Sequence, residues 1–468
     1  MFQQLIQWIR TLFGKIVGQR TQREMMESDK YKRQYEDTRS INFDAIFAGS
    51  LANKSVNDCN MTITDANDGE SRRSALISDV LTPVWDNIKQ TLTQALGKGG
   101  KFLVPYVIGD RIYVAALDQT RCAANETNGA GEITSLSVVA EIKQVNNNYY
   151  QRIIDYTLDG GTLSIKTRII NTSGGPVSFD ITPEWASITP EIMIENVDRV
   201  PVGFLKCPKD SRREDDFYGV PITYGSGDTI RQLHECMAQI ESEYKLKRAF
   251  VGADELLFGK DGKLPDSGLF KKFHTGGALN EGKSFWEIFD PTIRDSSYYA
   301  RYNALCAQLE KEVGTSKGVL TEPASFGATA TEIKSANHDT FCLVSDIRKN
   351  IQSCFEDLAY SIDMYAEFFG LTPAGASGDY KVTFDWDMSL VESSSETFDQ
   401  LSELESRGLI SGARLNSWVT GQSMEDAQAE IDAVQAQKAK AAAALLQPED
   451  LEPEGGINNA VQKKAGGY

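Results

Sequence analysis

Residues 326–341 read FGATATEIKSANHDTF, and beyond them the chain carries neither glycine nor proline until Gly370. That stretch predicts one helix over 329–369. Thr329 and Glu332 form a capping box at its start, each side chain satisfying an orphan backbone N–H. Val344, Ile347, Ile351, Cys354, Leu358, Ile362 and Tyr365 follow at alternating three- and four-residue steps, one apolar stripe on one face. Globular helices average about 11–12 residues. At about 1.5 Å per residue this one would reach about 60 Å. A single compact core is expected to be too small to cover it, so the stripe calls for a coiled-coil mate or for further copies of the same chain. The weak helix formers of SANHDT (335–340) predict a kink there.

The rest of the chain divides by period. Residues 1–30 read as helical and 31–60 as mixed; 74–96 have helical spacing with a break or kink expected at Pro83. From Lys101 to about Asp180 the period changes to two. KFLVPYVI, RIYVAAL, ITSLSVVAEIKQV, NYYQRIIDYTL and TLSIKTRII are strand candidates, separated by the turns IGDR, NGAGE, VNNN and DGGT. This predicts a mostly antiparallel sheet packed on helices, an α+β region. Asp228 then caps a helix with Ile230, Leu233, Met237, Ile240 and Tyr244 on one face, expected to end near Gly252. A Gly- and Lys-rich excursion (258–283) leads to a second helix with Tyr298, Tyr302, Leu305, Leu309 and Val313 on one face. Two helices that leave and return with a small knob between them make a stalk. After the long helix, YKVTFDWDMSL (380–390) alternates as a strand. Short helices follow, stopped at Gly408 and Gly421 and restarted by Ser411 and Ser423, and a Pro/Glu/Gly/Lys-rich tail from about Gln447 is expected to be disordered.

A net charge of −18 argues against coating nucleic acid by charge attraction, though it suits a protein past which DNA must slide without sticking. Within that acidic background, 245–272 is locally basic and could face DNA or an acidic partner, or be a solvated surface. Seven scattered cysteines without a C-x-x-C pair point to buried thiols in a reducing compartment. No apolar run reaches the ~18 residues that span a bilayer. FQQLIQWIRTLFGKIVGQ (2–19) is apolar at helical spacing but interrupted by polar residues; it reads as a partner- or self-docking helix, with an interfacial membrane helix as the alternative.

Bond chemistry finds little support. No histidine (His234, His274, His338) is expected at metal-ligand spacing from a cysteine or carboxylate, and G-x-x-x-x-G-K-[ST] is absent. GSGD (225–228) reads as a turn and helix cap. Asp385 and Asp387 share a strand face and could bind Mg²⁺, but two carboxylates alone fit a solvated face as well. Tyr298, Tyr299 and Tyr302 could stack on bases or pack between helices. No catalytic residue, metal site or cofactor is expected.

EYKLKRAFVGADELLF (243–258), FWEIFDPTIRDSSYYARYNALCAQLEKEVGTSKGVL (285–320) and FGATATEIKSANHDTF together resemble the portal proteins of tailed bacteriophages, of the type common in siphophages of Gram-positive hosts. VPVGFLKCPKD (200–210), FDWDMSLVESSSE (384–396) and LESRGLISGARLNSWVTG (404–421) agree, so the resemblance covers about 70–435. His338 departs from the small polar residue of many relatives.

The resemblance implies a portal fold: wing (1–227), stem helices (228–251 and 292–313), clip (252–291), tunnel loop (314–328), long helix (329–369), wing return strand (370–394), helical crown (395–446) and disordered tail (447–468). It implies a homo-oligomeric ring, usually of twelve subunits, at one capsid vertex of the virion, assembled in the host cytoplasm. Double-stranded DNA would be packaged and ejected through it, without bond chemistry. The implied partners are the terminase large subunit, a head-completion or adaptor protein, and major capsid and scaffolding proteins, with no membrane. Thr315, Ser316, Lys317, Ser325 and Phe326 would lie on the channel loop, Lys317 supplying a cation for the phosphate backbone. Phe258, Lys260, Lys263, Leu269, Phe270, Lys271, Lys272 and Phe273 would form the partner-binding clip. The alternatives are a minor capsid or head–tail protein without a DNA channel, and a nuclease using Asp385 and Asp387.

Overall fold

The computed structural model describes residues 19–57, 59–65, 69–171, 174–213, 217–246, 250–254, 270–273, 286–289, 295–322, 330–371, 380–386, 402–420 and 427–436. The chain is α+β and divides into two units, 1–391 and 392–468.

In the first unit, helices α1 (Gln19–Tyr35), α2 (Phe43–Val56), α3 (Arg72–Asp86) and α4 (Ile88–Lys98) are followed by a run of strands. Ser71 caps α3 through a reciprocal box with Ser74. Of the break or kink expected at Pro83, α3 shows no break there. The helix runs on to Asp86, and Asn87 separates it from α4, its side chain donating to the Pro83 carbonyl at 2.9 Å.

Strands β2 (Gly100–Ile108) and β3 (Arg111–Asp118) pair antiparallel, with β10 (Gly203–Lys206) on the other side of β2. A larger antiparallel sheet orders β4 (Cys122–Thr127), β5 (Ile133–Val145), β6 (Asn148–Asp159), β7 (Thr162–Asn171) and β8 (Pro176–Val177), with β9 (Glu191–Glu195) also on β7. Two of its hairpins, β5–β6 and β6–β7, close with two-residue turns of positive φ at both positions, Asn146–Asn147 and Gly160–Gly161, which match the twist of the flanking strands. Ile154, Tyr156, Leu163 and Ile165 face the main core, while Ala123, Val139, Ile153 and Ile170 form a smaller cluster.

Two helices form a hairpin, α5 (Gly227–Leu246) and α6 (Asp295–Val313). Helix α5 ends earlier than expected: Gly252 lies in β11 (Phe250–Asp254). That strand is the middle of a three-stranded sheet, parallel to β12 (Phe270–Phe273) and antiparallel to β13 (Trp286–Phe289).

The long helix α7 (Ala330–Phe368) has 39 residues, about 58 Å at about 1.5 Å each. Residues 335–340, where a kink is expected, are helical throughout. The expectation that one chain cannot cover the stripe from Val344 to Tyr365 is wrong. Val344, Ile347, Ile351, Cys354, Phe355, Leu358, Ala359, Ile362, Tyr365 and Ala366 are all buried within the single chain. Helices α2 and α3 and strands β2, β3 and β10 pack against α7, together with β14 (Tyr380–Asp385). Gly203 of β10 sits so close that an added Cβ would lie 2.8 Å from the Cys354 carbonyl. Trp85 of α3 meets Phe355 edge-on at 5.5 Å. Arg348 donates from Nε to the Ser55 carbonyl at 3.1 Å, so it caps the end of α2, and its guanidinium lies over the Trp386 ring. The Arg73 fork closes on Asp363, with Nε donating at 2.6 Å.

Strand β14 is anchored by β1 (Asn60–Asp65), its antiparallel partner more than three hundred residues away. The alternation of 380–390 is legible in the sequence; β1, in the mixed region, is not.

In the second unit, residues 402–406 and 427–436 are helical and flank α8 (Gly412–Thr420). Gly408 has positive φ and Ser411 accepts from the Arg414 amide, matching the expected stop and restart. Ala413 and Ala427 are buried, while Leu409, Val419 and Val434 are exposed.

Candidate functional site

The hairpin α5–α6 and the turn that follows it bring together most described residues with a candidate role. The two helices run antiparallel. At the base, Thr229 donates to Glu312 at 2.9 Å and Gln308 donates to the same oxygen at 2.8 Å. Lys209, just beyond β10, donates to the last carbonyls of α6, Glu312 at 2.8 Å and Val313 at 3.1 Å, a cation placed at a helix C-terminus. Burial pushes the Lys209 ammonium pKa down.

Burial along the hairpin is uneven. Leu233, Cys236, Leu305, Cys306, Leu309 and Val313, in the half nearest the core, are buried. In the half toward β11–β13, Met237, Ile240, Tyr298 and Tyr302 are only half-buried, and Tyr244 and Tyr299 are exposed. Tyr302 therefore packs, as one of the two expected uses of these tyrosines requires, whereas Tyr299 projects to the outside.

Helix α6 stops at Gly314, whose positive φ lets both its own amide and that of Thr315 reach the Glu310 carbonyl. The Glu310 side chain then organises everything after it. One carboxylate oxygen accepts from the amides of Gly318 (3.2 Å), Val319 (2.9 Å), Leu320 (2.7 Å) and Thr321 (3.1 Å). The other accepts from the Thr321 hydroxyl at 2.6 Å. Burial raises the Glu310 carboxyl pKa, but the Thr321 hydroxyl and the amides of 319–321 outweigh it and the net shift is downward. On the other side of the turn, the Ser316 amide donates to the Thr340 hydroxyl at 2.8 Å and the Thr340 amide returns to Ser316 Oγ at 3.4 Å.

The first half of the expected tunnel loop is thus a pinned turn. Thr315 and Ser316, proposed as channel residues, are buried against Glu310 and α7, so their hydroxyls are engaged within the chain. Lys317 is exposed at the apex. Ser325 and Phe326 lie outside the described residues, as do Phe258, Lys260, Lys263 and Leu269 of the clip. Phe270, Lys271, Lys272 and Phe273 make up β12, an edge strand of the small sheet. The sequence reading missed Glu310 and Thr340: a glutamate four residues before a helix-stopping glycine, and a threonine in a run of weak helix formers, carry no local signal.

Asp385 is exposed opposite Asn60, and Asp387 lies outside the described residues. Among the described residues no three His, Cys, Asp or Glu side chains gather as a metal site. One pair corrects the reading of the histidines: His338 and Cys342 stand one helical turn apart on α7, with Nε2 and Sγ 3.6 Å apart. Six cysteines are buried as expected; Cys342 is exposed. No helix among the described residues is long and apolar enough to cross a membrane.

No family model and no curated protein match the chain. Among the solved structures loosely similar to it are two from the necks of GTA particles. A chain from the neck of an empty GTA particle, computed with C6 symmetry, has a TM-score of 0.45 and 12% identity over 85% of this chain and 94% of that one. A chain from the neck of a native GTA particle, computed with C12 symmetry, has a TM-score of 0.42 and 11% identity over 80% of this chain and 89% of that one.

Proposed function

We propose that this chain is a portal-type subunit that works as a closed ring at a capsid vertex, through which double-stranded DNA passes. The observation that carries the reading is the uneven burial of the α5–α6 hairpin. Its distal half leaves Met237, Ile240, Tyr244, Tyr298, Tyr299 and Tyr302 incompletely covered. Most helical stability in proteins comes from packing an apolar face, and here that face is left open. Identical neighbours side by side would cover these residues, and a closed ring does so without leaving an end. The long helix no longer supports this, because its stripe is covered within one chain.

In the ring, Lys317 supplies one exposed cation per subunit on a turn held by Glu310, within a strongly acidic chain. Phosphate repulsion limits sticking, and these cations make transient contacts with the DNA backbone. The clip strand β12 is the end that docks terminase and then an adaptor protein.

Electron microscopy with native mass measurement of the purified protein tests the ring. Closed rings with a bore a little wider than the ~20 Å of a DNA duplex are expected; a compact dimer stable at high concentration would sink the reading. Genome packaging and retention by Lys317→Ala particles tests the grip, and unchanged behaviour at low and high salt refutes it. Lys271→Glu with Lys272→Glu should abolish adaptor binding while rings persist.

A further inference from the structure

We infer that His338 and Cys342 form the protein half of a binding site for a borderline-soft divalent metal ion such as Zn²⁺. Both residues are exposed on α7, four positions apart, so they lie one above the other on one side of the helix. Their ligating atoms are 3.6 Å apart. Zinc bonds imidazole nitrogen at about 2.0–2.1 Å and thiolate sulfur at about 2.3 Å in a tetrahedral shell, which sets the nitrogen–sulfur separation at about 3.6 Å. The pair already stands at the bite distance of the metal. The chain buries its other six thiols and leaves this one open beside an imidazole.

Two protein ligands leave two positions of a tetrahedral ion for water or another donor. Binding displaces the thiol proton to solvent as the sulfur–metal bond forms, and imidazole binds through its neutral Nε2 lone pair. The acidic groups nearest in sequence, Asp339 and Asp346, are exposed, and Asp346 is paired with Lys349 at 3.1 Å. They add negative field without entering the coordination. The metal would close a ring across one turn of the helix, over residues drawn from weak helix formers and beside Thr340, which holds the Ser316 turn. The inference is independent of the ring proposed above.

The test is a Co²⁺ titration of the reduced full chain, read by the thiolate-to-metal charge-transfer absorption, with Zn²⁺ as the displacing competitor. One equivalent per chain is expected. Cys342→Ser should abolish the band, and His338→Ala should weaken binding tenfold or more while a residual thiolate band persists. Asn337→His combined with His338→Ala keeps the number of ligands but turns the imidazole away from Cys342, and should bind no better than His338→Ala. Amide hydrogen exchange over 338–342 should slow when the metal is bound. Equal affinity in the parent and His338→Ala, or a band that survives Cys342→Ser, overturns the proposal. Because both side chains are exposed, neither substitution removes core packing.

Discussion

Replacing Glu310 tests whether one buried carboxylate fixes the connection between the α5–α6 hairpin and the long helix. Its oxygens accept four amide donors and one hydroxyl, and it is 1% exposed. In Glu310→Ala all five donors lose their acceptor. Each buried unsatisfied donor costs about 1–3 kcal/mol, but residues 318–321 are partly exposed and water can replace part of the loss. Hydrogen bonds to charged groups are worth about 1.5–3 kcal/mol, and the upper end of that range is expected for the set of five as a whole. Glu310→Gln keeps one acceptor oxygen and loses the charge. Charge-assisted bonds are about twice as strong as neutral ones, so a loss of about 1.5–2.5 kcal/mol follows.

Hydrogen exchange on the intact protein reads the effect locally. A loss of about 3 kcal/mol corresponds to roughly a hundredfold faster exchange at amides 318–321 in the alanine variant. The pH dependence has a definite sign. The folded-state carboxyl pKa is depressed, so the stabilisation is present above the ordinary glutamate value of about 4.3 and is lost as pH falls from there toward the lower folded value. Unchanged protection of 318–321 in both variants at neutral pH would refute the reasoning.

Gly203→Ala should destabilise by about 1–3 kcal/mol, read as a lower denaturation midpoint, because the new Cβ meets the Cys354 carbonyl and Sγ at 2.8 Å and Leu358 at 2.9 Å. Arg348→Lys keeps the charge but loses the planar fork that caps α2 and lies over Trp386; a cost of about 2 kcal/mol is expected, and a variant as stable as the parent would show that charge alone suffices there. In the folded, reduced protein one thiol per chain, Cys342, should react quickly with a disulfide reagent, and all seven only after unfolding. Burial holds the others back, pushing Cys207 for example up to about 12, so a second fast thiol would mean a looser core than described.

Local pattern and tertiary packing divided the determination of this protein along a clear line. The five strand candidates between Lys101 and Ile170 became β2, β3, β5, β6 and β7, because period-two alternation and the turn residues NN and GG act over a few positions. The helix from Ala330 to Phe368 was legible for the same reason, since no glycine or proline interrupts it. The sequence alone also marked the two helices of the hairpin and the glycine stop at 408.

What covers the long helix was decided only in three dimensions. A stripe says that a face must be buried, not by what, and here strands and helices from the same chain pack against it. Pairing of β1 with β14 joins residues more than three hundred positions apart, and no local period encodes such a register. Glu310 and Thr340 acquired their roles because the end of α6 and the start of α7 meet at 315–321. Hydrogen-bond partners depend on that meeting, and the residue types alone do not carry it.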